Sequence, residues 1–509
     1  MQKQVDILVV GGGINGVGIA RDAAGRGLSV MLCEKDDLAA HTSSASTKLI
    51  HGGLRYLEYY EFSLVRKALQ EREVLLRAAP HIISPLRFVM PHVAHLRPAW
   101  MIRLGLFLYD NLSTRSILFG SRSINFKSHV SGAPLQDIFT KGFVYSDAWV
   151  DDARLVVLNA LDAKELGATI RTRSKVIAAQ PDGKNWRVTI ENSRQESTSV
   201  IARCIVNASG PWVSSFLANQ IQPSIAKAHH AIRLVQGSHI VTKKLFDHPY
   251  AYIFQNPDHR IIFAIPYMDK YTLIGTTDRE YTEDPDRVQI SAEEITYLCD
   301  SINSYFKQTI SPTDVVWSYS GVRPLVGEED KNNPSAVTRD YHLELDGQSD
   351  GPALLSVFGG KITTFRRLAE EAVDLLCPIL NNDKTAWTAK VPLPGGDFPH
   401  ADFDTFLNDF QRQHPWLMAD LAIRYAHQYG ERAVNLLKGV KRMSDLGEEL
   451  SPGLFEQEVC YLVNHEWALQ ADDILWRRTK LGLAATPQSV LRLTEWLQQL
   501  AHNREALYA

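Results

Sequence analysis

"VDILVVGGGINGVGIARDAAGRGLSVMLCE", residues 5–34, decides the fold. Val5 to Val10 is a short run, apolar but for Asp6, the pattern of a parallel strand buried on both faces. "GGGINGVG" follows at once, then an Ala-rich helical stretch that ends at Gly25 and Gly27. "LSVMLCE" supplies a second strand and closes on Glu34. Gly11, Gly13 and Gly16 stand in GxGxxG spacing: the first permits a tight turn, the second lets backbone approach a pyrophosphate, and the third lets the helix pack on the strand. Ile14 and Asn15 open the helix, whose N–H groups face the phosphates. Glu34 lies near the offset of about 20 residues that places a carboxylate on a ribose hydroxyl. A lone GxGxxG is weak evidence, but with both strands and the acid in register it predicts a dinucleotide site. The unit by itself leaves FAD and NAD open. No second GxGxxG follows a strand elsewhere in the chain, which argues against nicotinamide as the electron partner.

The chain has 509 residues, too many for one ordinary core, so two or three domains are expected. Hydrophobic residues at 45% and charged residues at 22% describe a globular protein. A net charge of −4 gives no global attraction to nucleic acid, so any anion site must be local. The five cysteines are scattered without a CxxC pair, which indicates neither a disulfide framework nor a zinc site and fits a reducing cytoplasm. The chain enters its first strand almost directly and does not read as carrying a secretory signal. No stretch of about 18 uncharged apolar residues is present, so no spanning helix is expected.

"SASTKLIHGGLRYLE", residues 44–58, follows the dinucleotide unit. Its hydroxyl run offers Ser44, Ser46 and Thr47 to the dinucleotide. Its second half offers His51 beside the ring and Arg55 and Tyr56 toward a substrate, with Gly52-Gly53 turning the chain between the two tasks. "SKVIAAQ" and "NWRVTIEN" alternate apolar with polar residues, as half-buried strands do, around a "PDGK" turn. "AYIFQNPDHRIIFAIPYMDKYTLIGTTD" predicts three strands of an antiparallel sheet, with turns at Asn256-Pro257 and Met268-Asp269. After "PLPGGDFP" strand patterns give way to helical ones such as "FEQEVCYLVNHEWAL".

"VGGGINGVGIARDAAGRG" and "GGKITTFRRLA" resemble the two signature segments of the FAD-dependent glycerol-3-phosphate dehydrogenases. "KLIHGGLRYLE", "VNASGPW", "GSHIV", "IGTTD" and "YSGVRPL" stand between them in that family's order, and the likeness continues through "LPGG…SDLGEE…HEWALQADDILWRRTKLG". It covers nearly the whole chain and is nearest the aerobic, respiratory bacterial type. Two positions depart from the pattern: Phe365 where Tyr is usual, and Gln236 where Lys is common. The resemblance implies an α/β protein with a Rossmann-type FAD-binding domain and an antiparallel-sheet substrate domain, like glycine and D-amino-acid oxidases, interleaved over residues 1–389. A helical C-terminal domain would occupy residues 390–509. The implied cofactor is FAD, with Ala208 and Gly210 bringing backbone against the flavin and with Gly359, Gly360, Lys361, Ile362 and Thr363 forming a second flavin segment.

The implied reaction oxidises sn-glycerol 3-phosphate to dihydroxyacetone phosphate by hydride transfer to FAD. The phosphate needs fixed cations, and an Arg fork can meet two of its oxygens. The candidates are Arg55 with Tyr56, Arg323 and Arg339. The C2 hydroxyl needs a proton acceptor, and His is available near its ordinary pKa of about 6.5. His239, opening a strand, is the first choice of base, with His51 the alternative or an orienting group. Lys361 would stabilise the reduced ring's negative charge. His229 and His230 are adjacent on an extended chain and point oppositely, so no metal is assigned.

"LRPAWMIRLGLFLYDNL", residues 96–112, is apolar nearly all round, and between Arg87 and Lys127 six Lys/Arg face a single acidic residue, Asp110. An apolar helix with local positive charge suits either a buried helix or an anionic bilayer surface. The resemblance favours the surface and electron transfer to quinone. The expected partners are therefore glycerol 3-phosphate, a membrane quinone, an anionic lipid surface and a second copy in a homodimer, with no nucleic acid. The expected location is cytoplasmic, peripherally attached to the inner face of the plasma membrane. The rival activities are a glycerol-3-phosphate oxidase using dioxygen and an amine oxidase of the same fold.

Overall fold

A computed structural model describes residues 3–93, 97–222, 232–258, 260–326, 340–347 and 351–508. Arg339 and the His229-His230 pair lie outside them.

The apolar run becomes the strand Lys3–Val10, buried from Ile7 onward and paired in parallel on both sides. Val30–Cys33 flanks it on one side, Ser197–Asn207 on the other, with Ala353–Phe358 and Thr169–Arg171 extending the parallel set outward. The strands Ser174–Asp182 and Asn185–Asn192 form the expected hairpin and attach to the same sheet. Three helices, Ile14–Gly25, Asp152–Glu165 and Phe365–Leu380, pack their Ala- and Leu-rich faces on this sheet in one core. This is the Rossmann-type half of the molecule.

Among the described residues the second sheet has ten strands. The expected three are present as Ala251–Gln255, Ile261–Tyr267 and Tyr271–Gly275, and Met268 and Asp269 adopt φ of 46° and 56° in the turn between the last two. The long strands Ile232–Lys243 and Val315–Val326 pair side by side beyond them. The sheet is not wholly antiparallel, however. Ile83–Pro91, bracketed by prolines and without an alternating pattern, pairs in parallel with Ala251–Gln255 and brings Lys141–Val150 and Leu49–Ile50 into the same sheet. Strands from before and after residue 200 thus interleave.

From residue 403 the chain builds its own core from helices Phe403–Gln413, Ala419–Tyr429, Glu456–His465 and Pro487–Tyr508, with a two-stranded sheet at Glu449–Ser451 and Leu454–Phe455. The helix expected to run through "NHEWAL" ends at His465. Glu466 leaves it to receive both Nη groups of Arg154, and Trp467 takes a positive φ of 57°.

Several histidines are buried in neutral form. Burial pushes His81 down to about 3, His248 down to about 4, and His239 well below its ordinary value. In the unfolded chain these imidazoles titrate near ~6.5, so below that pH the unfolded state binds protons that the folded state does not, and stability falls with acidification. Denaturation midpoints are expected to drop steadily from about pH 7 to pH 5, with each such histidine adding up to ~1.4 kcal/mol per pH unit. His81→Leu, at a site where neither ring nitrogen has a hydrogen-bond partner, should flatten that slope; an unchanged slope would show that His81 does not contribute.

Candidate active site

A cavity of about 560 Å³ lies between the two sheets, within the ordinary range of ligand sites. It begins at the glycine turn. Gly11 has φ +110°, and a Cβ there would lie 2.5 Å from the Ala208 carbonyl oxygen. At Gly16 a Cβ would lie 2.0 Å from the Gly11 carbonyl oxygen. Gly11, Gly13, Ile14 and Asn15 line the cavity; Gly16 does not, and its task is to let the helix close on the turn. Glu34 also lines it, accepting from the Gly12 N–H at 2.6 Å and the Asp36 N–H at 2.8 Å. Burial raises its pKa, and these two donors oppose the rise. The turn, helix N-terminus and carboxylate form a cradle of the shape and donor set that a dinucleotide fills.

The hydroxyl run needs one correction. Ser44 does not line the cavity, because its hydroxyl donates to the His41 carbonyl at 3.3 Å. Its neighbour Ser43 does, with its Oγ accepting from the Ile14 N–H at 2.9 Å. A short 3₁₀ turn over Thr42–Ser44 sets which hydroxyl faces inward, and the sequence spacing carries no sign of it. Ser46 and Thr47 line the cavity as expected. The Ser46 hydroxyl donates to Asp152 at 2.7 Å. The buried Lys48 ammonium meets both Asp152 oxygens at 2.9 and 3.0 Å, so the whole segment is fastened from behind.

Beyond Lys48 the chain passes through Leu49–Ile50 to His51, which lines the cavity. Its N–H donates to Thr363 Oγ1 at 3.3 Å, and the next N–H, of Gly52, donates to Tyr109 Oη at 2.8 Å. Tyr109 in turn donates to Asp147, which is also held by Arg72 at 2.6 Å. A Cβ at residue 52 would lie 2.7 Å from the Tyr109 oxygen, so glycine is required there. Arg55 and Tyr56 follow on a 3₁₀ turn and line the same cavity.

Three further segments close it. Ala208 and Gly210 line it at the end of the strand Ser197–Asn207. Gly359, Gly360, Lys361, Ile362 and Thr363 line it too, tied to the glycine turn by the Asn15 amide, which donates to the Gly359 carbonyl at 3.1 Å. Lys361 Nζ sits 4.1 Å from the Tyr56 ring centroid, a cation–π contact. Arg323 comes from the strand Val315–Val326, with Nη1 2.8 Å from Asp278 Oδ1 and Nη2 3.0 Å from Thr276 Oγ1. Asp278, in "IGTTD", also lines the cavity and is a partner that sequence reasoning did not assign.

His239 is the principal correction. Its side chain is fully buried and lines no part of the cavity. The ring stacks on Tyr319 at 4.8 Å, and Nε2 lies 2.9 Å from Thr47 Oγ1. Burial, with Arg323 and Lys48 nearby, holds its pKa well below the ordinary value. Position at the start of a strand suggested exposure to the cofactor, but the neighbouring strand supplies Gly275 opposite it and the ring fills that space instead. Gln236, where the resembling family commonly has Lys, is buried behind the site and donates to Glu294 at 3.0 Å.

Comparison with known proteins fits this geometry. Residues 6–366 match the family described as FAD dependent oxidoreductase, and residues 386–504 match the C-terminal domain of alpha-glycerophosphate oxidase. The chain is 53% identical to a glycerol-3-phosphate dehydrogenase of Pseudomonas aeruginosa, over 99% of this chain and 97% of the relative. It is 50% identical to a D-erythritol 1-phosphate dehydrogenase of Brucella abortus, over 96% and 97%. The crystal structure of a Bacillus halodurans glycerol-3-phosphate dehydrogenase complexed with FAD superposes with a TM-score of 0.78 at 28% identity, covering 98% of this chain and 90% of that one. The glycine cradle takes FAD, and the chain belongs to the FAD-dependent glycerol-3-phosphate dehydrogenase family.

Proposed function

We propose that the protein oxidises sn-glycerol 3-phosphate to dihydroxyacetone phosphate and passes the electrons to a membrane quinone. The observation that carries the reading is the meeting, in one cavity with the FAD cradle, of Arg55, Arg323 and Lys361 with His51. FAD when bound supplies the acceptor for the hydride leaving C2. Arg323 is held in place by Asp278 and Thr276, which leaves its fork pre-oriented for phosphate oxygens, and Arg55 adds a second cation. His51 is the base that takes the C2 hydroxyl proton, since it lines the cavity and its peptide is pinned on both sides. His239 supports Thr47 from behind. Lys361 is a nearby positive charge for the reduced state. Arg339 is retained as a substrate candidate from the sequence alone.

A second substrate reading rests on the erythritol-phosphate relative, which is nearly as similar as the glycerol-phosphate one. The two differ by one CHOH unit, and a site without a hydrogen-bonding partner dedicated to the extra hydroxyl separates such a pair only weakly. Anaerobic addition of each substrate, with flavin absorbance followed, is the test. Glycerol 3-phosphate is expected to bleach the flavin faster by about tenfold in kcat/KM; faster bleaching by erythritol phosphate would reverse the assignment. Peroxide released per substrate in air separates a quinone-linked enzyme, which should give little, from an oxidase.

For attachment, the helix Ala99–Asn111 presents Trp100, Leu104, Phe107 and Leu108 along one face, exposed at 67, 51, 55 and 37%. No helix among the described residues is long and apolar enough to cross a membrane. Surface attachment through this face is the reading that the exposed apolar stripe and the surrounding arginines support.

His51→Ala is expected to slow flavin reduction by about 10²–10⁴-fold with FAD still bound, whereas His239→Ala should slow it less and chiefly lower stability. The reverse order would restore His239 as the base. Arg323→Ala should raise KM by at least about tenfold, as loss of a charge-assisted fork requires; a normal KM would remove Arg323 from the phosphate site. Phe107→Glu with Trp100→Glu should abolish co-sedimentation with phosphatidylglycerol vesicles while leaving flavin reduction by substrate intact. Undiminished sedimentation would place attachment elsewhere.

A further inference from the structure

Between the core helices Glu456–His465 and Pro487–Tyr508 the chain forms a π-helix, Asp473–Arg478, whose Ile474 and Leu475 join the C-terminal core. Such turns are rare and concentrate at functional sites. This one presents consecutive side chains to separate parts of the FAD-binding body. Arg478, fully buried, meets both oxygens of Asp37 at 2.8 Å and also donates to the Glu466 carbonyl. Arg477 donates through Nε to Asp37 at 2.7 Å. Trp476 stacks on Trp317 at 4.5 Å and 16°, on the strand that carries Arg323. Two residues beyond the π-helix, Lys480 lies 3.5 Å from Asp151, the neighbour of the Asp152 that holds Lys48.

Asp37 stands three residues beyond Glu34, in the middle of a loop from which Glu34, Lys35, Ala39, Ala40 and His41 line the cavity. Burial alone would raise its pKa, but Arg478 and Arg477 hold the carboxyl below its ordinary value and keep it charged. The loop is therefore positioned from two sides. The cofactor cradle is in front of it, and a buried double-arginine clamp from the C-terminal region is behind.

We infer that residues 473–480 are a brace by which the C-terminal region sets the affinity of the FAD site, with Arg478 as its positioning residue. The inference does not depend on which substrate is oxidised. Coupling of this kind is reciprocal: a brace that tightens FAD binding is itself tightened by FAD.

The test uses the full chain. Asp37→Asn combined with Arg478→Met removes both charges and so leaves neither one buried alone. FAD titrated into the apoprotein should bind with a Kd raised about tenfold, and the gain in Tm on adding FAD should shrink. Phe410→Ala opens a cavity inside the core that the C-terminal region builds for itself, among Phe406 and His414 rather than beside the π-helix. It should lower Tm while leaving the FAD Kd unchanged, a split that a merely structural role would not produce. Arg477→Gln, at a partly exposed position, carries the test if the double variant does not fold, with an expected loss of about threefold in FAD affinity. An FAD Kd within about twofold of the parent protein in a folded double variant or in Arg477→Gln, or equal weakening in Phe410→Ala, would overturn the inference.

Discussion

One buried ion pair, Lys48 with Asp152, holds the site together. Both side chains are fully buried. Asp152 opens the helix Asp152–Glu165 on the Rossmann side, and Lys48 lies in the segment that crosses from the cofactor to the substrate sheet. Removing one partner of such a pair leaves an uncompensated charge in low dielectric, which typically costs about 3–5 kcal/mol. The value of the pair here is positional. It fixes Ser46 and Thr47 on one side and, directly after Lys48, the short strand Leu49–Ile50 that delivers His51.

The same logic recurs in the surrounding layers. Asp147 gathers Arg72 and Tyr109 beneath the Gly52 peptide, so the peptide after His51 is held by a buried network whose tyrosine comes from the exposed helix Ala99–Asn111. Asp37 gathers two arginines of the C-terminal region behind the loop that begins at Glu34. In each case a carboxylate collects donors from distant segments, and a cavity-lining stretch rests on the result. Buried carboxylates arranged this way supply direction as well as charge, because each oxygen accepts from a fixed angle.

The cavity is therefore assembled from at least five stretches of chain. The glycine turn, the 43–56 segment, the end of the strand Ser197–Asn207, the Arg323 strand and the 359–363 loop converge only because two sheets interleave. The fully buried His239 illustrates the cost of reading such a site strand by strand. Its ring occupies the space above Gly275, a residue 36 positions later in the sequence, and meets the cavity wall only through Thr47.

The sequence by itself determined the dinucleotide unit, because strand, glycine spacing, helix and acid are local and each residue type has one steric or electrostatic reason to be there. It also pointed to the three-strand block at 251–275 and to several residues that line the cavity, among them His51, Arg55, Arg323 and Gly359-Gly360. Only the tertiary structure decided which hydroxyl of the Ser43-Ser44 pair turns inward, which histidine reaches the cavity, and that Ile83–Pro91 joins the second sheet in parallel. It alone showed Asp278 beside Arg323 and the arginine clamp on Asp37. Those outcomes depend on what packs opposite a residue from tens to hundreds of positions away, and no local pattern of hydrophobicity or charge carries that information.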